Sequence, residues 1–164
     1  VFCALGGLSG DMLLHASAVI DGSTARIFCG PSGSGKTTIA RMLKDAANVV
    51  NDEINWVYIR ENDGQPVLVN QRFWCFPEHN EFTECPVETI YTLEQSATCR
   101  AAPIEAWQAF PVLLAAPFGE NDPMLGKRAD MTAHVAHRVP LKTLRFNLEE
   151  DAVQKVVLRD TTNN

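Results

Sequence analysis

The stretch GPSGSGKTT, from Gly30 to Thr38, is built from Gly, Ser, Pro and Thr with the single exception of Lys36. It follows the apolar run Ala25-Arg26-Ile27-Phe28-Cys29 and precedes a segment of helical character. From Gly30 to Thr37 it satisfies the pattern G-x-x-x-x-G-K-[ST]. Each residue type there has a physical reason. Glycines admit positive φ and let backbone N–H groups close around an anion. A helix opening near Gly35 turns its unpaired N–H groups and the positive end of its dipole toward the same anion. Lys36 adds a point charge that reaches β- and γ-phosphates, and the Thr37 hydroxyl suits Mg²⁺. The predicted nucleotide-binding set is therefore Gly30, Pro31, Ser32, Gly33, Ser34, Gly35, Lys36, Thr37 and Thr38, with ATP and Mg²⁺ as cofactors.

Working outward, Met12–Ile20 and Thr24–Gly30 read as strands joined by the turn Asp21-Gly22-Ser23. A helix is predicted over 36–47, with Ile39, Ala40, Leu43 and Ala47 at helical spacing. A short β-branched strand at 48–50 leads into Asn51-Asp52-Glu53. Segments 54–60 and 66–70 bracket Glu61-Asn62-Asp63-Gly64-Gln65 as a hairpin. Residues 72–86 show no clean period and read as an irregular loop, with 73–82 placed to cover a site. A strand is predicted at 87–95, and a helix from 103 with Pro103 in its first turn and a break at Pro111. A helix at 127–139, a strand at 141–148 and a closing helix at 148–158 follow, and 159–164 should fray. The fold class is α/β: a mixed sheet with hairpins around one strand–loop–helix–strand unit, and helices in the C-terminal half. Residues 1–164 are read as a single domain.

Asp52 and Glu53 close the β-like segment that follows the helix. In a parallel layout adjacent strands end at one edge of the sheet, here the edge that carries the glycine-rich loop. One carboxylate, Asp52 with Thr37, suits Mg²⁺; the other suits proton transfer from an attacking hydroxyl. His15 lies mid-strand among apolar neighbours, where a histidine is more often a core residue, yet its hairpin partner runs into the loop. His134 and His137, three apart on a helix, read as surface residues, and His79 has no assigned role.

Composition bounds the rest. The 164 residues carry 14 Lys and Arg against 20 Asp and Glu, a net charge of −6, and are 46% apolar. That is enough apolar content for a core. The absence of a long basic run argues against nucleic acid as a partner. Cys3, Cys29, Cys75, Cys85 and Cys99 are odd in number and lack CxxC spacing, which favours a reducing, cytoplasmic setting over a disulfide framework or zinc site. No apolar run is long enough to span a membrane, so no membrane partner is expected.

The stretch Leu13 to Glu53, with "LLHASAV", "DGSTARIFCGPSGSGKTTIARML" and "NVVNDE" in this order, resembles the catalytic domain of HPr kinase/phosphorylase. It resembles in particular the smaller, non-HPr branch, which includes lasso-peptide kinases. The resemblance covers about a quarter of the chain; "YTLEQ" and "HRVPLKTLRF" extend it loosely. It implies that Gly30 to Thr37 bind nucleotide phosphates, with Lys36 on phosphate and Thr37 on magnesium. It implies that His15 lies near the phosphates. It also implies that Asp52 and Glu53 are the two consecutive acids, the second being the base toward an acceptor serine. That second acid is normally Asp, so the longer Glu53 leaves the base to be Glu53 or Asp52. The family's later glycine-rich signature for phosphorolysis is not found, and its downstream metal-binding Glu has only Glu78, Glu81 and Glu84 as candidates. HPr and phosphorylase activity are therefore disfavoured.

The sequence thus predicts a catalytic set of His15, Lys36, Asp52 and Glu53. The reaction is transfer of the γ-phosphoryl group of ATP to a serine-type hydroxyl of a protein, peptide or small molecule. Arg72, Arg100, Arg128 and Arg138 are candidate additional cations. The alternative is a nucleotide-binding module or slow NTPase acting through a partner; a carboxykinase-like enzyme ranks below both, for want of room for a further lobe. A homo-oligomer is compatible with either reading.

Overall fold

Alternation along β1 (Asp11–Asp21) organises the molecule, which a computed structural model describes for residues 11–70, 83–114 and 125–158. Met12, Leu14, Ala16, Ala18 and Ile20 are buried in one apolar cluster and Val19 in another, because successive side chains of a strand point to opposite faces. β1 is therefore covered on both sides. Its second half has no exposed residue before the turn to β2 (Thr24–Cys29).

The other strands are β3 (Asn48–Asn51), β4 (Ile54–Ile59), β5 (Pro66–Asn70), β6 (Thr83–Gln95), β7 (Arg100–Pro103) and β8 (Leu141–Phe146). The helices are α1 (Lys36–Leu43), α2 (Ala106–Leu114), α3 (Leu125–Arg138) and α4 (Glu150–Leu158). The predicted mixed α/β architecture is observed. β1 and β6 are long enough to serve two parts of the sheet. β1 pairs with β2 and β3 through its second half and with β4 through its first, always antiparallel. β6 pairs antiparallel with β5 near its start, then parallel with both β2 and β8. The pairings β1–β4–β5–β6–β2–β1 close into a ring, and β8 and β7 extend the sheet beyond β6.

Two apolar clusters fill the two faces. Ala109 and Leu113 of α2 and Met131, Val135 and Ala136 of α3 close over Ala16, Ile27, Val57, Leu68 and Ile90. Ile39 and Leu43 of α1 and Val153 and Val157 of α4 close over Val19, Phe28, Tyr91, Leu144 and Phe146. Phe28 and Tyr91, both essentially fully buried, stack with ring centroids 5.3 Å apart across the β2–β6 pair. At the β1–β2 turn the buried Arg26 lies between Asp21 (3.0 Å) and Glu88 (2.9 Å), so its charge is paired on both sides.

Several expectations change. β7 occupies 100–103, so Pro103 ends an edge strand rather than opening a helix. It stands at the free side of the sheet, where a missing N–H costs no ladder bond. Pro111 does not divide α2, which runs on to Leu114. The hydrogen bond it cannot donate belongs to the carbonyl of Trp107, a residue 74% exposed and open to water. α1 stops at Leu43, not at 47, because Ala46 and Ala47 both turn their N–H groups to the Leu43 carbonyl. β6 begins four residues before the predicted strand, at Thr83 instead of 87, since its first residues pair with β5. The segments 73–82 and 159–164, with Cys3, Cys75, Arg72, His79, Glu78 and Glu81, lie outside the described residues. Among the described residues no helix is long and apolar enough to cross a membrane.

Candidate functional site

The parallel strands β2, β6 and β8 end at one edge, and the glycine-rich loop leaves β2 there. Its shape follows from its residues. Gly33 and Gly35 have φ of 80° and 105°, a backbone region that side chains disfavour. A Cβ on Gly35 would run into the Phe146 ring at the end of β8, and one on Gly30 into the Ser34 side chain. Ser34 N–H donates to the Pro31 carbonyl at 3.1 Å, and Gln95 at the end of β6 donates to the Gly33 carbonyl at 3.2 Å. The loop is thus held from within and from two neighbouring strands.

α1 starts at Lys36 with Gly35 as its cap and no side-chain cap bond. Its first N–H groups have no acceptor inside the helix. Ser34 Oγ is buried and has no hydrogen-bond partner. Lys36 is buried, with Nζ donating to the carbonyls of Gly30 (2.9 Å) and Pro31 (3.1 Å), so the ammonium lies across the start of the loop. Burial pulls its pKa below the ordinary lysine range, opposed by the nearby Cys29. Uncapped amides, an orphaned hydroxyl and one ammonium form a donor set suited to an anion.

The acidic residues arrive from the other flank of β1. β2 and β3 are not neighbours, as a simple parallel layout would have them; β1 runs between, antiparallel to both, so their ends still share an edge. Asp52 and Glu53 directly follow the end of β3 at Asn51, and they occupy the irregular step before β4, which also pairs with β1. In the register set by Ala18 with Asn51 and His15 with Ile54, Ser17 stands across from Asp52 and Ala16 across from Glu53. Ser17 Oγ in turn donates to the Lys36 carbonyl at 2.9 Å, a buried bond that fixes the first turn of α1 on β1. The Lys36 backbone carbonyl and the backbone of Asp52 therefore both adjoin the same residue, Ser17. Asp52 is half-buried and Glu53 exposed.

His15 is exposed, which corrects the core reading. It lies two residues from Ser17, on the same face by strand alternation and about 6.6 Å along the strand. Thr37 and Thr38, in the first turn of α1, are half-buried. The structure thus places His15, the Lys36 carbonyl that opens α1, and the acidic step along the middle of β1. It leaves the described candidates Arg100, Arg128 and Arg138 with neighbours elsewhere. Arg128 donates to the Leu114 carbonyl, and Arg138 donates to that of Asp63. Arg100 is exposed across from Arg145, which pairs with Glu94 at 2.9 Å. Glu84 is engaged with Tyr58, whose hydroxyl is pushed up to about 12 by burial and by that carboxylate. His134 is half-buried and His137 exposed; among the described residues no group of three or more His, Cys, Asp or Glu is arranged to hold a metal. Cys29, Cys85 and Cys99 are free thiols.

Sequence reasoning passed over Ser17, Asn51, Asn55, Gln95 and Phe146. Ser17 carried a signal, a hydroxyl within an otherwise apolar buried strand. Asn51 carried another, since Asn ahead of Asp-Glu favours a side-chain-to-backbone turn. Gln95 and Phe146 had none, because their roles depend on which strands meet.

No family model and no curated protein matches the chain. Among solved structures it is similar to the Hpr(Ser) kinase/phosphatase from Coxiella burnetii. The identity is 10% and the TM-score 0.45, over 91% of this chain and 92% of that one.

Proposed function

We propose that this chain is an ATP-dependent kinase of the phosphate-loop type, transferring the γ-phosphoryl group to a serine-type hydroxyl of a protein, peptide or small molecule. The observation that carries this reading is that Ser17 holds the Lys36 backbone carbonyl, at the start of the helix after the glycine-rich loop, and stands in register across from Asp52 in the Asp52–Glu53 step. An anion site alone would need only the loop. Acids on the adjoining strand step would add a metal ligand and a proton acceptor, which phosphoryl transfer to a hydroxyl requires.

The donor set fits a nucleotide polyphosphate with Mg²⁺, through the uncapped amides of α1, the orphaned Ser34 hydroxyl and the Lys36 ammonium. Gly30 to Thr38 would hold the phosphates, and Thr37 with Asp52 the magnesium. Mg²⁺, held there, would supply charge neutralisation on the transferring group. Lys36 would exchange its two carbonyl partners for phosphate oxygens. Either Glu53 or Asp52 takes the acceptor proton, and His15 borders the same space. Positioning and electrostatics then do the chemistry, with no covalent enzyme intermediate.

The test is titration of the folded chain with magnesium nucleotides, followed by γ-labelled ATP in the presence of candidate hydroxyl acceptors. Label on an acceptor supports the kinase; label only in free phosphate supports a nucleotide-hydrolysing module; no association sinks both. Lys36→Ala should remove turnover, by a factor on the order of 10² or more, with the thermal unfolding transition retained.

A further inference from the structure

In a regular antiparallel ladder, Ala16 and Glu53 would exchange two hydrogen bonds. Here only one exists: Ala16 N–H donates to the Glu53 carbonyl at 3.1 Å. The reciprocal bond is replaced at both of its ends. Glu53 N–H donates instead to Asn51 Oδ1 at 2.8 Å, and Ile54 N–H reaches the same oxygen at 3.3 Å. The Ala16 carbonyl accepts instead from Asn55 Nδ2 at 2.6 Å, in a buried bond. Two asparagine side chains have taken over the two halves of one missing rung. The orientation of the Asn55 amide follows from chemistry, since only its nitrogen donates to a carbonyl.

This arrangement is not the one stability alone would select. Asn55 is 2% exposed, and its Oδ1 is buried with no partner. An apolar side chain in its place would remove that desolvated acceptor, and the Glu53 N–H could close the ladder onto Ala16. Irregular steps of this kind re-aim side chains beside functional sites.

We propose that Asn51 and Asn55 are positioning residues that hold the Asp52–Glu53 step open from β1, so that its carboxylates face the glycine-rich loop. The role in catalysis rests on the kinase reading above; the mechanical part, two amides holding the rung apart, does not. Neither asparagine touches a reacting atom.

The experiment compares the full chain with its Asn51→Ala, Asn51→Asp and Asn55→Leu variants. The readouts are turnover of MgATP and amide hydrogen exchange at Glu53. Asn51→Ala and Asn55→Leu should lower kcat by about 10- to 100-fold, the scale of a misplaced catalytic group, with KM for MgATP within about twofold. Asn51→Asp keeps the acceptor oxygen and should restore kcat to within about threefold of the parent. Asn55→Leu should unfold no earlier than the parent, which a purely structural asparagine would not allow. In Asn51→Ala the Ala16 carbonyl is still occupied by Asn55, so the Glu53 amide should exchange at least about tenfold faster. An unchanged kcat in folded Asn51→Ala and Asn55→Leu would overturn the positioning role. An unchanged exchange rate in Asn51→Ala would overturn the mechanical part. If the parent shows no turnover at all, the kinase reading falls, and the exchange comparison decides this inference by itself.

Discussion

The two flanks of β1 are built on different terms. On the β2 side the ladder runs without interruption from Ala16 with Cys29 to Asp21 with Thr24. Beneath it Phe28 stacks on Tyr91, and the glycine-rich loop springs from its last residue. On the β3–β4 side the register shifts, a rung is missing, and two acids occupy the gap with asparagines on either side. On the proposed reading, the regular flank holds a backbone whose amides would be fixed relative to one another to bind an anion. The broken flank presents side chains that would act once freed from a ladder. One strand thus joins a part whose work is rigidity to a part whose work is exposure.

That contrast predicts that stability and activity separate by flank. The largest loss of stability should come from the regular side. Phe28→Ala removes a fully buried ring from the stack with Tyr91 and should cost about 3–5 kcal/mol in chemical denaturation. Turnover measured per folded molecule should change far less than stability does. A loss under about 1 kcal/mol would mean that this flank is not the rigid one. Next, Glu53→Gln on the broken side should leave stability within about 0.5 kcal/mol of the parent, as for exposed residues generally. Phosphoryl transfer should nonetheless fall by a factor on the order of 10², the scale of a positioned base. If Asp52→Asn alone shows that loss, the two acids exchange roles and the contrast stands. If both variants lose stability and keep activity, it fails.

The smallest effect sharpens the picture of the regular side at high pH. Burial pushes the Cys29 thiol from 9.0 up to about 12, with the charge of Lys36 opposing. Between those values the unfolded chain releases this proton and the folded chain keeps it. The unfolded state then binds fewer protons, so this contribution to stability is complete below 9.0 and is lost as pH rises toward 12. Cys29→Ala should therefore show a shallower alkaline fall in Tm than the parent. Parallel curves would indicate that this thiol is not sealed beneath the loop.

Much of this was legible in the sequence, and the limits have physical causes. Hydrophobic alternation and turn residues marked β1, β2 and the β4–β5 hairpin, because those elements are local. The glycine-rich loop was legible because backbone geometry and ligand chemistry both restrict its residues. β7 was not, since the four residues Arg100–Pro103 become a strand only where β8 offers an edge. The exposure of His15 was equally hidden. Among apolar neighbours it reads as core, and only the transfer of β1 from β2 to β4 at that residue leaves its side chain open. The opened step at Asp52 and Glu53 was half legible. Asn51 announces a local turn, whereas Asn55 reaches the carbonyl of Ala16, on a strand far away in the chain.

The ring of strand pairings bears on how the chain acquires its shape. Every residue of the proposed catalytic set lies before Ile54, so a ribosome releases that set ahead of β4 to β8. Yet Phe28 waits for Tyr91, Gly33 for Gln95 and Gly35 for Phe146, partners synthesised much later. High contact order of this kind delays folding until distant segments dock. The nascent chain would therefore carry the groups for the proposed reaction before it carries the architecture that brings them together.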